Sequence, residues 1–243
     1  MGSFGDVGCF SFFPTKNLGA AGDGGAVTTS DAQLAQAMRE LAVHGMPERY
    51  LHTSLGYNSR LDAVQAAVLN VKLPRLEEWI GKRTAIAKRY RDALGDLNGL
   101  TLPTPDDGHS WNQFVVRIGS CPSGQPLCNA SCTPSTTSAR HGIPESCCRD
   151  WVKQTLQERG VSTIIYYPIP IHRQPAYAHL GLQQGSLPVT EQLCSQVLSL
   201  PIFPELSGQQ QEAVIDTVRQ LLAAKVPAQF RRADEGDQDR MVA

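Results

Sequence analysis

Five side chains stand where their types and spacing permit chemistry: Ser11, Lys16, Asn58, Tyr167 and His172. The densest arrangement is CFSFFPTKNLGAAGDGG, residues 9–25. An apolar strand over residues 9–13 is stopped by Pro14, and Lys16 stands in the turn. Gly19, Gly22, Gly24 and Gly25 follow, before a returning strand at residues 26–29. A lysine at the exit of a buried strand is desolvated, which lowers an amine pKa and suits it to form a Schiff base. Ser11 points a hydroxyl toward the same region, where it can hold a phosphate, and the glycines let backbone pass close to a flat cofactor. Nothing here follows the phosphate-loop pattern G-x-x-x-x-G-K-[ST]. Spacing alone also allows a plain solvated turn lysine, and both readings stand at this point.

Three strings carry a resemblance. SFFPTKNLGAAGDGG resembles the cofactor-lysine segment of the DegT-type (DegT/DnrJ/StrS) nucleotide-sugar aminotransferases. GYNSRLD at residues 56–62 is similar to that family's GYNxR segment. YPIP at 167–170, with His172, Gln174, Pro175, Ala176 and Tyr177, is similar to its YPIPxHxQPAY segment. The strings come in order over residues 1–224, with 119–148 and the last residues outside the resemblance. The implied fold class is α/β, the C-terminal part of a fold-type I aminotransferase dependent on pyridoxal 5'-phosphate: part of the large cofactor domain plus the small C-terminal α/β domain.

On that resemblance Lys16 is the catalytic residue. It binds the cofactor covalently, yields it to an amino donor, glutamate, and then acts as the general acid/base of proton transfer. A keto-sugar nucleotide takes the amine in the reverse sequence. A lysine rather than a histidine at this position implies transamination instead of the deoxygenation of the family's dehydratase relatives. Ser11 is implied as the phosphate hydroxyl, and Asn58 as the residue that reaches the phosphate of the neighbouring subunit's cofactor, which implies a homodimer with a shared active site. Tyr167 and His172 are implied contacts to the sugar nucleotide. Relatives often carry a histidine where this chain has Tyr166, so the pattern departs there. The plainer alternatives are a strand serine bonded to backbone, a turn asparagine and a loop histidine. GYNSRLD followed by an apolar, glutamine-containing helix resembles the branch acting on 3-keto-6-deoxyhexoses, which points to a dTDP-3-keto sugar in deoxysugar, polysaccharide or natural-product biosynthesis.

Residues 2–6 resemble the loop before the lysine strand, so the chain is expected to enter the family's cofactor domain midway. An earlier segment would supply the aromatic that stacks on the cofactor, the aspartate at its pyridine nitrogen and part of the phosphate cup, and none of these is assigned in this sequence. The alternative reading is therefore a non-catalytic truncated fragment lacking that cup.

Composition narrows the classes further. A net charge of −1 leaves no basic field for nucleic acid and no polybasic patch for a membrane surface. No apolar run approaches the roughly 18 residues of a membrane span, and no signal peptide is visible, so a cytoplasmic protein is expected. Five of the seven cysteines, Cys121, Cys128, Cys132, Cys147 and Cys148, crowd together as C-x6-C-x3-C-x14-C-C. That spacing lacks the paired C-x2-C units of common zinc ribbons, and no bound metal is expected. Cys9 and Cys194 are isolated and expected to be buried.

The elements that must position these groups read as follows. Residues 1–60 form a partial cofactor domain carrying the lysine, and 61–99 form interdomain helices. Residues 100–224 form the small domain, with an atypical cysteine-rich insertion at 119–148, and 225–243 form a disordered tail. Helices are expected at 31–44 (capped by Ser30 or Asp31), 62–80 (kinked or split by Pro74), 82–94, 149–159 (ended by Gly160), 187–200 and 207–224 (capped by Ser207). Strands are expected at 112–118 and 161–167, and residues 100–107 read as a linker.

Overall fold

A computed structural model describes residues 2–119 and 147–223. The expected insertion, apart from its flanks, and the expected tail lie outside them. The chain divides into two compact units, Met1–Gly81 and Lys82–Ala243.

The first unit opens with strands β1 (Gly8–Ser11) and β2 (Gly25–Thr28), paired antiparallel with Ser11 opposite Gly25 and Cys9 opposite Val27. Helix α1 (Ala32–Ala42) starts where Asp31 Oδ1 accepts the N–H groups of Gln33 and Leu34 at 2.7 and 3.1 Å, satisfying donors that have no partner in a helix's first turn. Helix α2 (Ala63–Lys72) is capped in the same way by Asp62, which accepts from Val64 N at 2.7 Å. Pro74 then splits the helical run. A 3-10 turn, Leu73–Arg75, separates α2 from α3 (Leu76–Leu94), because proline has no N–H for the helical ladder. The second break expected before residue 82 is absent: α3 runs through Gly81, whose propensity deficit of about 1 kcal/mol one long helix absorbs.

Little of this unit is buried. Among its described residues the buried apolar side chains are Ala20 and Leu69, while Leu55, Tyr57, Val64 and Val71 are exposed. Cys9 is exposed, against the sequence expectation, because β1 belongs to a two-stranded ribbon and buries only Gly8.

The second unit holds the core. Strands β3 (Leu100–Thr101), β4 (Phe114–Ile118) and β5 (Val197–Leu200) form an antiparallel sheet in that order. Phe114, Val116 and Ile118 of β4 point inward, while Arg117 is exposed, the period of two that a half-covered strand demands. Around the sheet pack α3, α4 (Cys147–Glu158), α5 (Pro188–Gln196) and α6 (Gly208–Ala223). Tyr90 and Leu94 from α3, Leu156 from α4 and Val218 from α6 share that core. Helix α6 begins with a reciprocal cap: Gln210 N donates to Ser207 Oγ at 3.2 Å, and Ser207 N donates to Gln210 Oε1 at 3.0 Å. Arg83, 8% exposed, donates its Nη1 to the carbonyls of Trp111, Asn112 and Ile202 at 3.2, 3.3 and 2.9 Å. Burial lowers its pKa, opposed by the charge of Glu205.

Several expectations are corrected here. Residues 161–167 form no strand. One rung joins Ile164 to Ser199, with bonds of 3.3 and 2.8 Å, and Pro168 and Pro170 lack the donors that would carry pairing onward. The expected helix over 187–200 stops at Gln196, and Val197–Leu200 become β5, with Leu198 and Leu200 buried. The expected linker contributes β3, where Leu100 pairs with Ile118. Helix α4 starts two residues earlier than expected. Among the described residues no helix is long and apolar enough to cross a membrane.

Candidate active site

Lys16 sits at the end of a tight turn. Its N–H donates to Phe13 O at 2.9 Å, and Pro14, the second residue of that turn, supplies the fixed φ such a turn uses. Ser11 ends β1, and its Oγ accepts from Phe13 N at 3.4 Å. Ser11 and Lys16 therefore flank one turn and share Phe13 as a backbone partner. The loop beyond is closed at its base by Phe12, which donates to Gly24 O and accepts from Ala20 N, each at 2.8 Å. Gly19 is required by a close approach: a Cβ there would lie 2.4 Å from Pro14 O, so only glycine lets the loop fold back on the lysine turn.

Lys16 is exposed, and among the described residues no hydrogen bond or ion pair engages its ammonium. The buried-strand environment expected around it is not supplied by this unit. The groups present nevertheless fit the implied cofactor: a free amine for an aldehyde, and an exposed hydroxyl on the same turn for a phosphate.

Asn58 is held by the end of α1. The carbonyls of Leu41 and Ala42, which lack partners inside the helix, accept the N–H groups of Tyr57 and Ser59 at 2.7 and 3.0 Å. Residues 44–45 and 54–56 stack so closely that a Cβ on Gly56 would lie 2.1 Å from Gly45 N. Arg60 donates Nε and Nη2 to Asn58 Oδ1 at 3.3 and 3.2 Å. The oxygen end of the amide is thus taken, and its NH2, a donor suited to an anion, makes no hydrogen bond among the described residues.

Tyr167 and His172 belong to the second unit. Tyr167 is 66% exposed, and its ring meets that of Tyr166 edge-on at 5.3 Å. His172 is buried. Its Nε2 lies 3.0 Å from Glu191 Oε1, and its Nδ1 is buried with no partner among the described residues. The Glu191 carboxylate also accepts Gly185 N at 3.0 and 2.8 Å and Leu187 N at 3.4 Å. It ties the turn bearing His172 and the loop before α5 to one helix.

The Gly185 N–H foremost, and then His172 against the opposing effect of burial, hold the Glu191 carboxyl below its usual range. A depressed folded pKa contributes stability above the unfolded value, about 4.3 for glutamate, and loses it as pH falls through the folded value. Amide exchange at Gly185 is therefore expected to accelerate in acid below that range, beyond the intrinsic trend. A Glu191→Gln variant should lack this acid-dependent step; an unchanged step in the variant would refute the assignment.

Sequence reasoning missed Glu191 and the contacts of α2 with the glycine loop. Lys72 Nζ donates to Gly19 O, and Gln65 Oε1 accepts from Ala21 N at 2.9 Å. Gln65 and Lys72 lie two helical turns apart on one face, a spacing that any solvated helix face also shows, so the sequence does not single them out. Among the described residues no group of three or more His, Cys, Asp or Glu side chains is placed to hold a metal ion; the cysteine cluster, apart from its last two members, lies outside the described residues.

The chain matches the model of the DegT/DnrJ/EryC1/StrS aminotransferase family over residues 1–127 and 125–219. It is 42% identical to the erythromycin biosynthesis sensory transduction protein EryC1 of Saccharopolyspora erythraea, over 90% of this chain and 53% of that protein. It is 40% identical to the dTDP-3-amino-3,4,6-trideoxy-alpha-D-glucose transaminase of Streptomyces venezuelae, over 90% of this chain and 51% of that protein. The crystal structure of S. venezuelae DesV superimposes with a TM-score of 0.76 at 40% identity, covering 92% of this chain and 53% of that one. The chain spans about half the length of the curated relatives it matches.

Proposed function

The chain belongs to the DegT/DnrJ/EryC1/StrS aminotransferase family, and on that premise we propose that it serves the pyridoxal-phosphate-dependent transamination of a keto-sugar nucleotide. The substrate in this reading is a dTDP-3-keto-6-deoxyhexose, the donor is glutamate, and the setting is cytoplasmic. The transaminase name of the Streptomyces venezuelae relative supports the nucleotide and the sugar class. The observation that carries the reading is Lys16 itself, an amine without a partner among the described residues, held at a turn that also presents Ser11.

When bound, the cofactor supplies an aldehyde and an electron sink for carbanion chemistry. The chain supplies the rest. Lys16 Nζ attaches the cofactor and, once freed, holds and returns the proton removed from the α-carbon of the donor. Ser11 Oγ donates to the phosphate. Asn58, its amide turned by Arg60, donates its NH2 to the phosphate held in a neighbouring subunit, so that a homodimer shares its sites. The exposed Leu55 and Tyr57 beside Asn58 support a face covered by a second copy. Tyr167 meets the sugar nucleotide directly, and His172 serves the same segment from the buried side.

The test is conversion of the dTDP-3-keto sugar with glutamate by protein loaded with pyridoxal phosphate, followed as 2-oxoglutarate released. Absence of product despite bound cofactor would refute the substrate assignment, and failure to bind cofactor would favour the non-catalytic alternative. Asn58→Ala is expected to weaken cofactor retention about tenfold or more, the worth of one hydrogen bond to a charged group, measured by equilibrium dialysis against pyridoxal phosphate. Unchanged retention would remove Asn58 from the site.

A further inference from the structure

We propose that Gln65 and Lys72 of α2 are positioning residues that set the geometry of the lysine loop, an inference that rests on Lys16 being the cofactor lysine. Two bonds pin the loop to the helix: Lys72 Nζ to Gly19 O, and Ala21 N to Gln65 Oε1 at 2.9 Å. Both side chains project from one face of α2, seven residues and two turns apart, so a single rigid element grips the loop on either side of Ala20. Apolar packing gives the loop little else, since Ala20 is its one buried apolar side chain. The grip reaches Lys16 through backbone. Gly19 lies against Pro14 O, where a Cβ would be 2.4 Å away, and Pro14 belongs to the turn closed by Lys16 N and Phe13 O. A shift of Gly19 therefore has to move the lysine turn. Asp62 caps the start of α2, two residues after Arg60, so the helix that steadies Lys16 also continues directly from the segment bearing Asn58.

The test compares Gln65→Met, which keeps length and loses the acceptor, with Gln65→Glu, which keeps an acceptor oxygen, and with Lys72→Met. Amide exchange at Ala21 is read on the cofactor-free chain. Labelling by pyridoxal phosphate and borohydride is read at Lys16, relative to the exposed Lys88 in the same sample. Gln65→Met is expected to speed exchange at Ala21 about fivefold, the effect of losing one ordinary hydrogen bond, and to lower the Lys16-to-Lys88 labelling ratio by a similar factor. Exchange at Val116 in the other unit should stay unchanged. Gln65→Glu should restore both readouts, and Lys72→Met should lower the ratio as well. Faster exchange with an unchanged labelling ratio would overturn the positioning role, and unchanged exchange at Ala21 would overturn the grip itself. A parent chain with no preference for Lys16 would sink the cofactor reading, while the exchange arm would still decide whether α2 holds the loop.

Discussion

Lys16→Ala is expected to abolish transamination, with a loss of at least about a thousandfold. The change removes two functions at once: the nucleophile that attaches the cofactor, and the base that moves the proton. The proton-transfer role alone is worth roughly 10²–10⁴-fold. Lys16→Arg is expected to be equally inactive, although it keeps the positive charge, because a guanidinium stays protonated and makes no covalent link to an aldehyde. Neither change should unfold the protein. The side chain is exposed and makes no hydrogen bond or ion pair among the described residues, and substitutions of that kind stay within about 0.5 kcal/mol. The pair of variants is read by 2-oxoglutarate release and by thermal melting. An arginine variant that still turned over would mean that the charge of Lys16 matters and its nucleophilicity does not.

Arg83→Ala is expected to cost about 3 kcal/mol of unfolding free energy in the second unit. One guanidinium nitrogen serves the carbonyls of Trp111, Asn112 and Ile202, and hydrogen bonds to charged groups contribute roughly 1.5–3 kcal/mol each, although bonds sharing one donor do not add fully. Removing the side chain leaves the Trp111 carbonyl buried without this donor, and the part-buried carbonyls of Asn112 and Ile202 lose it too. Denaturant unfolding followed by tryptophan fluorescence measures the loss. Lys88→Ala is the control: its i,i+4 pair with Asp92 is exposed on both sides, and such pairs are worth at most about 0.5 kcal/mol. Equal effects of the two changes would show that the Arg83 contacts contribute nothing beyond a surface ion pair.

Where the sequence carried a strong local signal, the fold followed it. Pro74 split the helical run at its own position, because the missing N–H acts locally whatever surrounds it. Asp31 and Ser207 capped the helices whose starts they mark. Legibility failed where distant partners decide. VLSL at 197–200 sits at the end of a helical periodicity, and it becomes a strand because β4 offers it a ladder from Phe114 to Arg117. Residues 161–167 are rich in β-formers, yet they meet β5 at one rung, since propensity does not create an edge to pair with. The lysine turn was legible through proline and glycine chemistry. The helix face that grips it was not, because Gln65 and Lys72 look like ordinary polar positions until the loop is folded against them. His172 was legible as a residue of interest, but its pairing with Glu191, nineteen residues further on, was not, because a loop brings the two together.

The most direct test is peptide mapping after borohydride reduction of the chain incubated with pyridoxal phosphate, beside Lys16→Ala. The cofactor reading predicts a phosphopyridoxyl group concentrated on the peptide containing Lys16 and absent from that peptide in the variant, with only background at Lys72, Lys82 and Lys88. A label spread evenly over the lysines, unchanged in total by the loss of Lys16, would contradict it.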